Sequence, residues 1–189
     1  YRDNLTEAAP ILTEFGLPAT VFVVAGRMDG WLDHDLPCAE SRLMSWDELR
    51  ALADAGWTIG GHTMTHPRLS RLSDAEQRRE IIECKAAIEK EIDRPIDCFA
   101  FPFGSTLDFS AVSRTIVRDA GYAYAVSNCY GANRPGADRW VLRRIWIDRS
   151  DTLDSFRAKV EGRLDRLAWL DSAVGIRARR LVNQFLRAV

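Results

Sequence analysis

No apolar run in this 189-residue sequence approaches the ~20 residues needed to span a bilayer, and its start lacks the charged and apolar regions of a signal peptide. A membrane span is therefore not expected within it. Charge of one sign is also lacking, with 26 Lys and Arg against 27 Asp and Glu and a net charge of -1. No overall basic field draws the chain to nucleic acid or an anionic membrane, so partner choice falls to a local site. Cysteine is sparse: Cys38, Cys84, Cys98 and Cys129 have no C-x-x-C spacing, which argues against a zinc knuckle or redox motif. Buried free thiols are the expectation, and the compartment stays open. Internal repeats, low-complexity tracts and linkers are missing too. What remains is 47% hydrophobic and 28% charged residues, enough for one core and one domain over residues 1–189, and not a disordered or fibrous chain. The first residue is Tyr1, so the sequence is expected to begin inside a longer reading frame, and a signal peptide could lie ahead of it.

Short apolar runs alternate with amphipathic helical patterns. A helix over about Leu5 to Phe15 stops at Gly16 and is followed by the run Ala19 to Ala25, which reads as a strand buried on both faces. The capping box Ser45-Trp-Asp-Glu48 opens a helix through Leu49 and Leu52 that closes at Gly56, before Trp57 to Gly61. A second capping box, Ser73-Asp-Ala-Glu76, opens a longer helix expected to carry Ile82, Ala86 and Ile92 inward, before the run Ile96 to Phe101. The beat continues with a helix over about Ala111 to Ala120, a strand Tyr122 to Val126, a strand Val141 to Ile147, and Leu153, Phe156, Val160, Leu164 and Leu167 at helical spacing. Strands alternating with helices call for parallel pairing, hence an α/β sheet or barrel. Five strands are clear, and a strand preceding the first helix is expected upstream of Tyr1.

Two of only three histidines, His62 and His66, stand four residues apart in Gly60-Gly-His-Thr-Met-Thr-His-Pro67, at the C-terminal end of an expected strand. That edge is where α/β folds place their sites. Imidazoles are common zinc ligands, and an H-x-x-x-H pair can converge on one ion; two surface or core histidines also occur at this spacing. The second segment, Cys98-Phe-Ala-Phe-Pro-Phe-Gly-Ser105, ends another strand. Pro102 cannot donate, which leaves the backbone N-H of Phe103 as a candidate oxyanion donor, against the plainer reading of an aromatic strand end with a turn.

Together, His62-Thr-Met-Thr-His66-Pro67, Phe99-Ala-Phe-Pro-Phe-Gly104, Tyr1-Arg-Asp-Asn4 and Ala19-Thr-Val-Phe-Val-Val24 resemble the polysaccharide deacetylases, the NodB-homology domain of carbohydrate esterase family four. The resemblance runs from Tyr1 to about Phe156. It implies a distorted (β/α) barrel with fewer strands than a TIM barrel, and one divalent ion, zinc by expectation, held by an Asp and two histidines that map onto His62 and His66. It also implies a T-F-D-D-G motif whose aspartates serve as general base and metal ligand. Tyr1-Arg-Asp-Asn resembles the residues that typically come after that motif's glycine, so both aspartates are expected immediately upstream of Tyr1. Many members have an Arg where Ala100 stands and a late L-x-L-x-H motif whose His is the general acid; neither is recognisable here. Leu142-Arg-Arg-Ile-Trp146 resembles instead the members with an R-I pair in the final strand. Leu142, Arg144 and Trp146 alternate onto one face, so Arg144 can replace the missing Arg or lie on the surface.

The expected activity is metal-dependent removal of N-acetyl groups from an amino-sugar polysaccharide or oligosaccharide. A carbohydrate-binding domain of the same fold without catalysis, and an O-acetyl esterase or non-sugar amidase, are the alternatives. Pro102 and Trp31 are candidate substrate contacts, the latter in a long loop with His34 and Trp46 that could cap the mouth or be core. The Arg-rich stretch over 173–189 reads as a C-terminal helical extension, a solvated docked helix or one that touches an acidic partner or membrane surface. If the family habit holds, the location is the cell envelope, the periplasm or outside the cell.

Overall fold

A computed structural model describes residues 1–32, 41–165, 168 and 175. The expectations on Cys38, His34, Leu167 and the 173–189 extension therefore lie outside the described residues, apart from Gly175.

A π-helical turn over Asn4–Ala8 runs into helix α1, Ala9–Glu14. Strand β1 is Thr20–Val23, and a 3-10 turn, Ala25–Arg27, comes after it. Helix α2, Trp46–Asp54, leads to β2, Thr58–Gly61. Helix α3, Asp74–Ile92, leads to β3, Cys98–Ala100, and α4, Ala111–Asp119, leads to β4, Tyr124–Tyr130. Strand β5 is Leu142–Arg144, and α5 is Leu153–Val160. Both expected capping boxes are present. Ser45 Oγ accepts from Glu48 N while the Glu48 carboxylate accepts from Ser45 N, and Ser73 and Glu76 do the same for α3.

The five strands form one parallel sheet in the order β1-β2-β3-β4-β5. Four inter-strand spacings of ~4.8 Å would hold the outer strands of a flat sheet about 19 Å apart. Yet the Arg144 guanidinium of β5 lies 5.9 Å from the centre of the Phe22 ring of β1. The sheet therefore curls until its first and last strands face one another across a cleft, the geometry of a distorted barrel.

Several sequence expectations shift. The inward stripe of α3 is Gln77, Ile81, Cys84, Ile88 and Ile92, spaced four, three, four and four, whereas Ile82 is exposed because it stands about 100° round the helix from Ile81. Ala86 is likewise exposed. Strand β1 is not buried on both faces, since Phe22 is only half-buried and faces the cleft. Strand β4 begins two residues later than expected and continues to Tyr130, while β5 stops at Arg144, leaving Trp146 and Ile147 exposed. The apolar spacing of α5 buries nothing: Leu153, Phe156 and Val160 are all exposed. Parallel strands β4 and β5 are joined by residues 131–141 without a helix. Cys84, Cys98 and Cys129 are buried free thiols, as expected.

The core lies between the sheet and α2, α3 and α4, with Phe99, Phe101, Leu49, Leu52, Ile81, Ile88 and Ile116 essentially inaccessible. Each such side chain contributes about 1.5–3 kcal/mol by leaving water. Strand β2 ends in two glycines because both faces are crowded there. A Cβ on Gly60 would stand 2.6 Å from the Phe22 ring, and one on Gly61 would stand 2.4 Å from the Tyr122 hydroxyl oxygen. Gly61→Ala is accordingly expected to destabilise by about 1–3 kcal/mol, the usual cost of overpacking. Chemical denaturation checks it, and adding Tyr122→Phe should restore part of the loss because the nearest atom is the hydroxyl.

Candidate active site

The site begins where β2 ends. His62 N continues the ladder by donating to Val23 O at 2.9 Å, and then Ala25 N and Gly26 N donate to Thr63 O and Met64 O at 3.1 and 2.8 Å. The chain reverses tightly here, with Thr63 at φ 69° and His66 at φ 64°. A β-branched residue in the left-handed region costs on the order of 1–3 kcal/mol, so other contacts must over-determine the turn. Thr63, fully buried, donates its hydroxyl to His62 O at 2.5 Å and accepts from His66 N at 3.0 Å. Glu80 on α3 supplies the remainder. Its Oε2 accepts from Met64 N at 2.8 Å and Thr65 N at 2.9 Å, and its Oε1 accepts the Thr65 hydroxyl at 2.7 Å.

This turn brings the two histidines together, with ring centres 4.8 Å apart and the planes at 66°. His62 Nδ1 lies 2.7 Å from Ala100 O. A carbonyl only accepts, so Nδ1 carries the proton and Nε2 of the neutral ring carries the lone pair. Desolvation first, then the neighbouring His66 and, least of all, Arg144 push the His62 pKa down to about 3, while the Ala100 bond opposes them. His62 is therefore a neutral imidazole at physiological pH with its tautomer set by β3, an arrangement common among metal-ligating histidines.

Phe103 ends the neighbouring loop. It stands at φ 61°, and Gly104 N donates to Pro102 O at 2.6 Å across it, a strained γ-turn. Its ring lies 4.9 Å from that of His66 and carries the Arg68 guanidinium at 3.9 Å on its face. Arg68 also pairs with the buried Asp108. Asp108 Oδ2 accepts from Ser105 N at 3.0 Å and from the Ser105 hydroxyl at 2.5 Å, so one carboxylate ties the Phe103 loop to the residue two beyond His66. From the other side Asn128 donates to Phe103 O at 3.0 Å and accepts from Arg144 Nη2 at 2.6 Å. Arg144 Nε donates to Ser127 O at 2.8 Å where β4 bulges against β5.

His62, His66, Arg144, Ala100, Phe22 and Tyr1 line one cleft of about 310 Å³. Of the expected site residues, His62, His66 and Arg144 thus come together, and Phe103 adjoins them through His66. Two others do not. Pro102 is fully buried and is not among the residues that line the cleft. Trp31 is exposed and is not among the lining residues, although its neighbour Leu32 is. Among the described residues no Asp or Glu lines the cleft, and no group of three or more His, Cys, Asp or Glu side chains is placed to hold an ion. Two adjacent imidazoles, that of His62 neutral with its tautomer set by Ala100 O, fit part of a divalent ion's ligand set, and not a whole one.

The sequence profile of the polysaccharide deacetylase family matches residues 1–125. The chain belongs to the polysaccharide deacetylase family. It is 22% identical over 161 residues to YxkH of Bacillus subtilis (strain 168), which carries the name of a polysaccharide deacetylase, covering 85% of this chain and 53% of that protein. The chain thus spans about half the length of that curated relative. Among solved structures it resembles the Streptococcus pyogenes deacetylase PplD in complex with acetate, with TM-score 0.71 and 20% identity over 83% of this chain and 65% of that one. It also resembles a mutant of BA3943, described as a CE4 family pseudoenzyme, with TM-score 0.51 and 22% identity over 66% and 39% of the two chains. At these identities the two structures establish the fold.

In this polysaccharide deacetylase chain, sequence reasoning missed Glu80, Arg68, Asp108 and Asn128. Arg68, directly after the motif's proline, could have been suspected from position; Glu80 is one of several acidic residues on α3, and only the tertiary structure distinguishes it. The depressed His62 pKa has a consequence for the metal-free protein. Below the unfolded value of 6.5 the unfolded chain takes up a proton that the native ring refuses, so stability is whole above 6.5 and falls as pH drops toward about 3. The slope is at most about 1.4 kcal/mol per pH unit. Thermal unfolding of chelator-treated protein between pH 7 and 4 checks this, and His62→Gln, which does not titrate, should flatten the dependence.

Proposed function

We propose that the full-length protein is a divalent-metal-dependent hydrolase that removes N-acetyl groups from an amino-sugar polysaccharide or oligosaccharide. The observation that carries this reading is the His62–His66 pair, 4.8 Å between ring centres at the C-terminal edge of a parallel sheet, with the His62 tautomer locked by Ala100 O. His62 and His66 are the two residues that would hold the ion, with zinc the expected metal. Bound there, a divalent ion supplies Lewis acidity that makes an acyl carbonyl more electrophilic and a water more acidic.

The chain's own residues do the rest. The Phe103 backbone N-H is the proposed oxyanion donor, held in place by the γ-turn, the Arg68 stack and the Asn128 bond. Donors of this kind contribute ~2.7–4 kcal/mol to acyl transfer in other enzymes. Arg144 is proposed to keep the general base ionised, because its guanidinium lines the cleft and its two bonds to Ser127 O and Asn128 Oδ1 use only part of its five donors. The base itself is proposed to lie ahead of Tyr1 in the full-length protein. Tyr1 and Asn4 line the cleft, so a residue adjoining Tyr1 would stand close to it. The acetate complex of the similar PplD accords with an acetyl substrate.

A second reading, a sugar-binding domain without turnover, draws on the lack of a carboxylate among the described lining residues and on the similarity to the BA3943 pseudoenzyme. An acetate-release assay over N-acetylated and O-acetylated sugars separates these. The expected result is acetate from N-acetylglucosamine oligomers, abolished by chelation and restored by zinc or cobalt. Acetate from esters alone would make the protein an esterase, and sugar binding by metal-loaded protein without turnover would favour the binding domain. In the same assay Arg144→Met is expected to lower the rate and move the acid limb of the pH profile up by ~1 unit, since loss of a neighbouring cation raises a carboxylate pKa.

A further inference from the structure

In the turn from His62 to His66, backbone polar groups are gathered by a side chain from a distant helix. Met64 N, Thr65 N and the Thr65 hydroxyl all converge on the carboxylate of Glu80. Glu80 sits within α3, whose Gln77, Ile81 and Cys84 are buried against the core, so the carboxylate is carried by a rigid base. It grips two of the three residues between the histidines, Met64 and Thr65. The turn's opposite side is held by Ala25 and Gly26, and a Cβ on Gly26 would stand 2.6 Å from Met64 O, which leaves the turn no room to retreat toward β1. Thr63 and His66 are both in left-handed backbone, so the turn holds strain that these two grips offset.

We infer that Glu80 is a positioning residue for the His62–His66 pair: by fixing the Met64–Thr65 peptides it holds the two imidazoles at the separation that one ion requires. This rests on the metal-binding reading above. A supporting group outside the ligand set typically changes metal affinity by 10- to 100-fold. Position matters more here than charge. A glutamine can keep one oxygen on the two N-H groups and turn its amide toward the Thr65 hydroxyl, which is able to accept. An aspartate keeps the charge and is one methylene too short.

The test is zinc affinity of the full-length protein, by competition with a chromogenic chelator, for wild type, Glu80→Gln, Glu80→Asp and Glu80→Ala. Thermal unfolding of the metal-free forms and the visible spectrum of the cobalt forms are measured alongside. Glu80→Ala and Glu80→Asp should lose ~10- to 100-fold in affinity and change the cobalt spectrum, while Glu80→Gln stays near wild type. Should Glu80→Ala fail to fold, the contrast between Glu80→Asp and Glu80→Gln carries the test. Wild-type affinity in Glu80→Asp, or a loss in Glu80→Gln equal to that in Glu80→Asp, overturns the inference and leaves the metal reading standing. Failure of the wild type itself to bind zinc or cobalt overturns both.

Discussion

The chemistry of this chain depends on a backbone conformation that its residues do not favour. Thr63 and His66 both occupy left-handed φ, and only in that shape do histidines four residues apart at a strand end turn their rings toward one another. A regular helix would also place them on one face, but it would not leave His62 continuing the β1–β2 ladder and bonded to Ala100 O. The strain, about 1–3 kcal/mol per residue, is offset locally by the Thr63 hydroxyl and by Glu80, whose charge-assisted bonds are worth ~1.5–3 kcal/mol each.

The second organising constraint is the curl of the sheet. It carries Arg144 from β5 to within 5.9 Å of Phe22 on β1, and so closes a cleft that a flat five-stranded sheet would leave open. Around that cleft two loops and two strands interlock: the Arg68–Asp108 pair ties the histidine loop to the Phe103 loop, and Asn128 of β4 ties the Phe103 loop to Arg144 of β5. A substitution at Asp108 or Asn128 acts on the cleft through this mesh and not by touching it. Phe103 is then a residue held from three sides, by Arg68, His66 and Asn128.

Much of the fold was legible in the sequence because its signals are local. Ser45 with Glu48 and Ser73 with Glu76 announce helix starts through hydrogen bonds that span three residues, and the β-branched run around Val21 announces a strand. The histidine spacing and the Pro-Phe-Gly turn were equally visible, and those residues do meet at one edge. The features that were not legible depend on which way a side chain faces in three dimensions. Ile82 and Ile81 look equivalent as apolar positions, yet one is exposed and the other is core. The apolar spacing of α5 suggested burial that its described neighbours do not provide, and Pro102 suggested a substrate contact where the chain buries it. Glu80 carries no local signature, since its partners lie 15 and 16 residues away.

The central proposal is that His62 and His66 act together as ligands of one divalent ion. X-ray absorption at the zinc edge of the zinc-loaded protein tests it most directly. Two imidazole nitrogens at ~2.0–2.1 Å, with their outer-ring scattering lost in a His62→Ala, His66→Ala double variant, is the predicted result. A first shell of oxygen or sulfur alone, or a spectrum unchanged in the double variant, would contradict it.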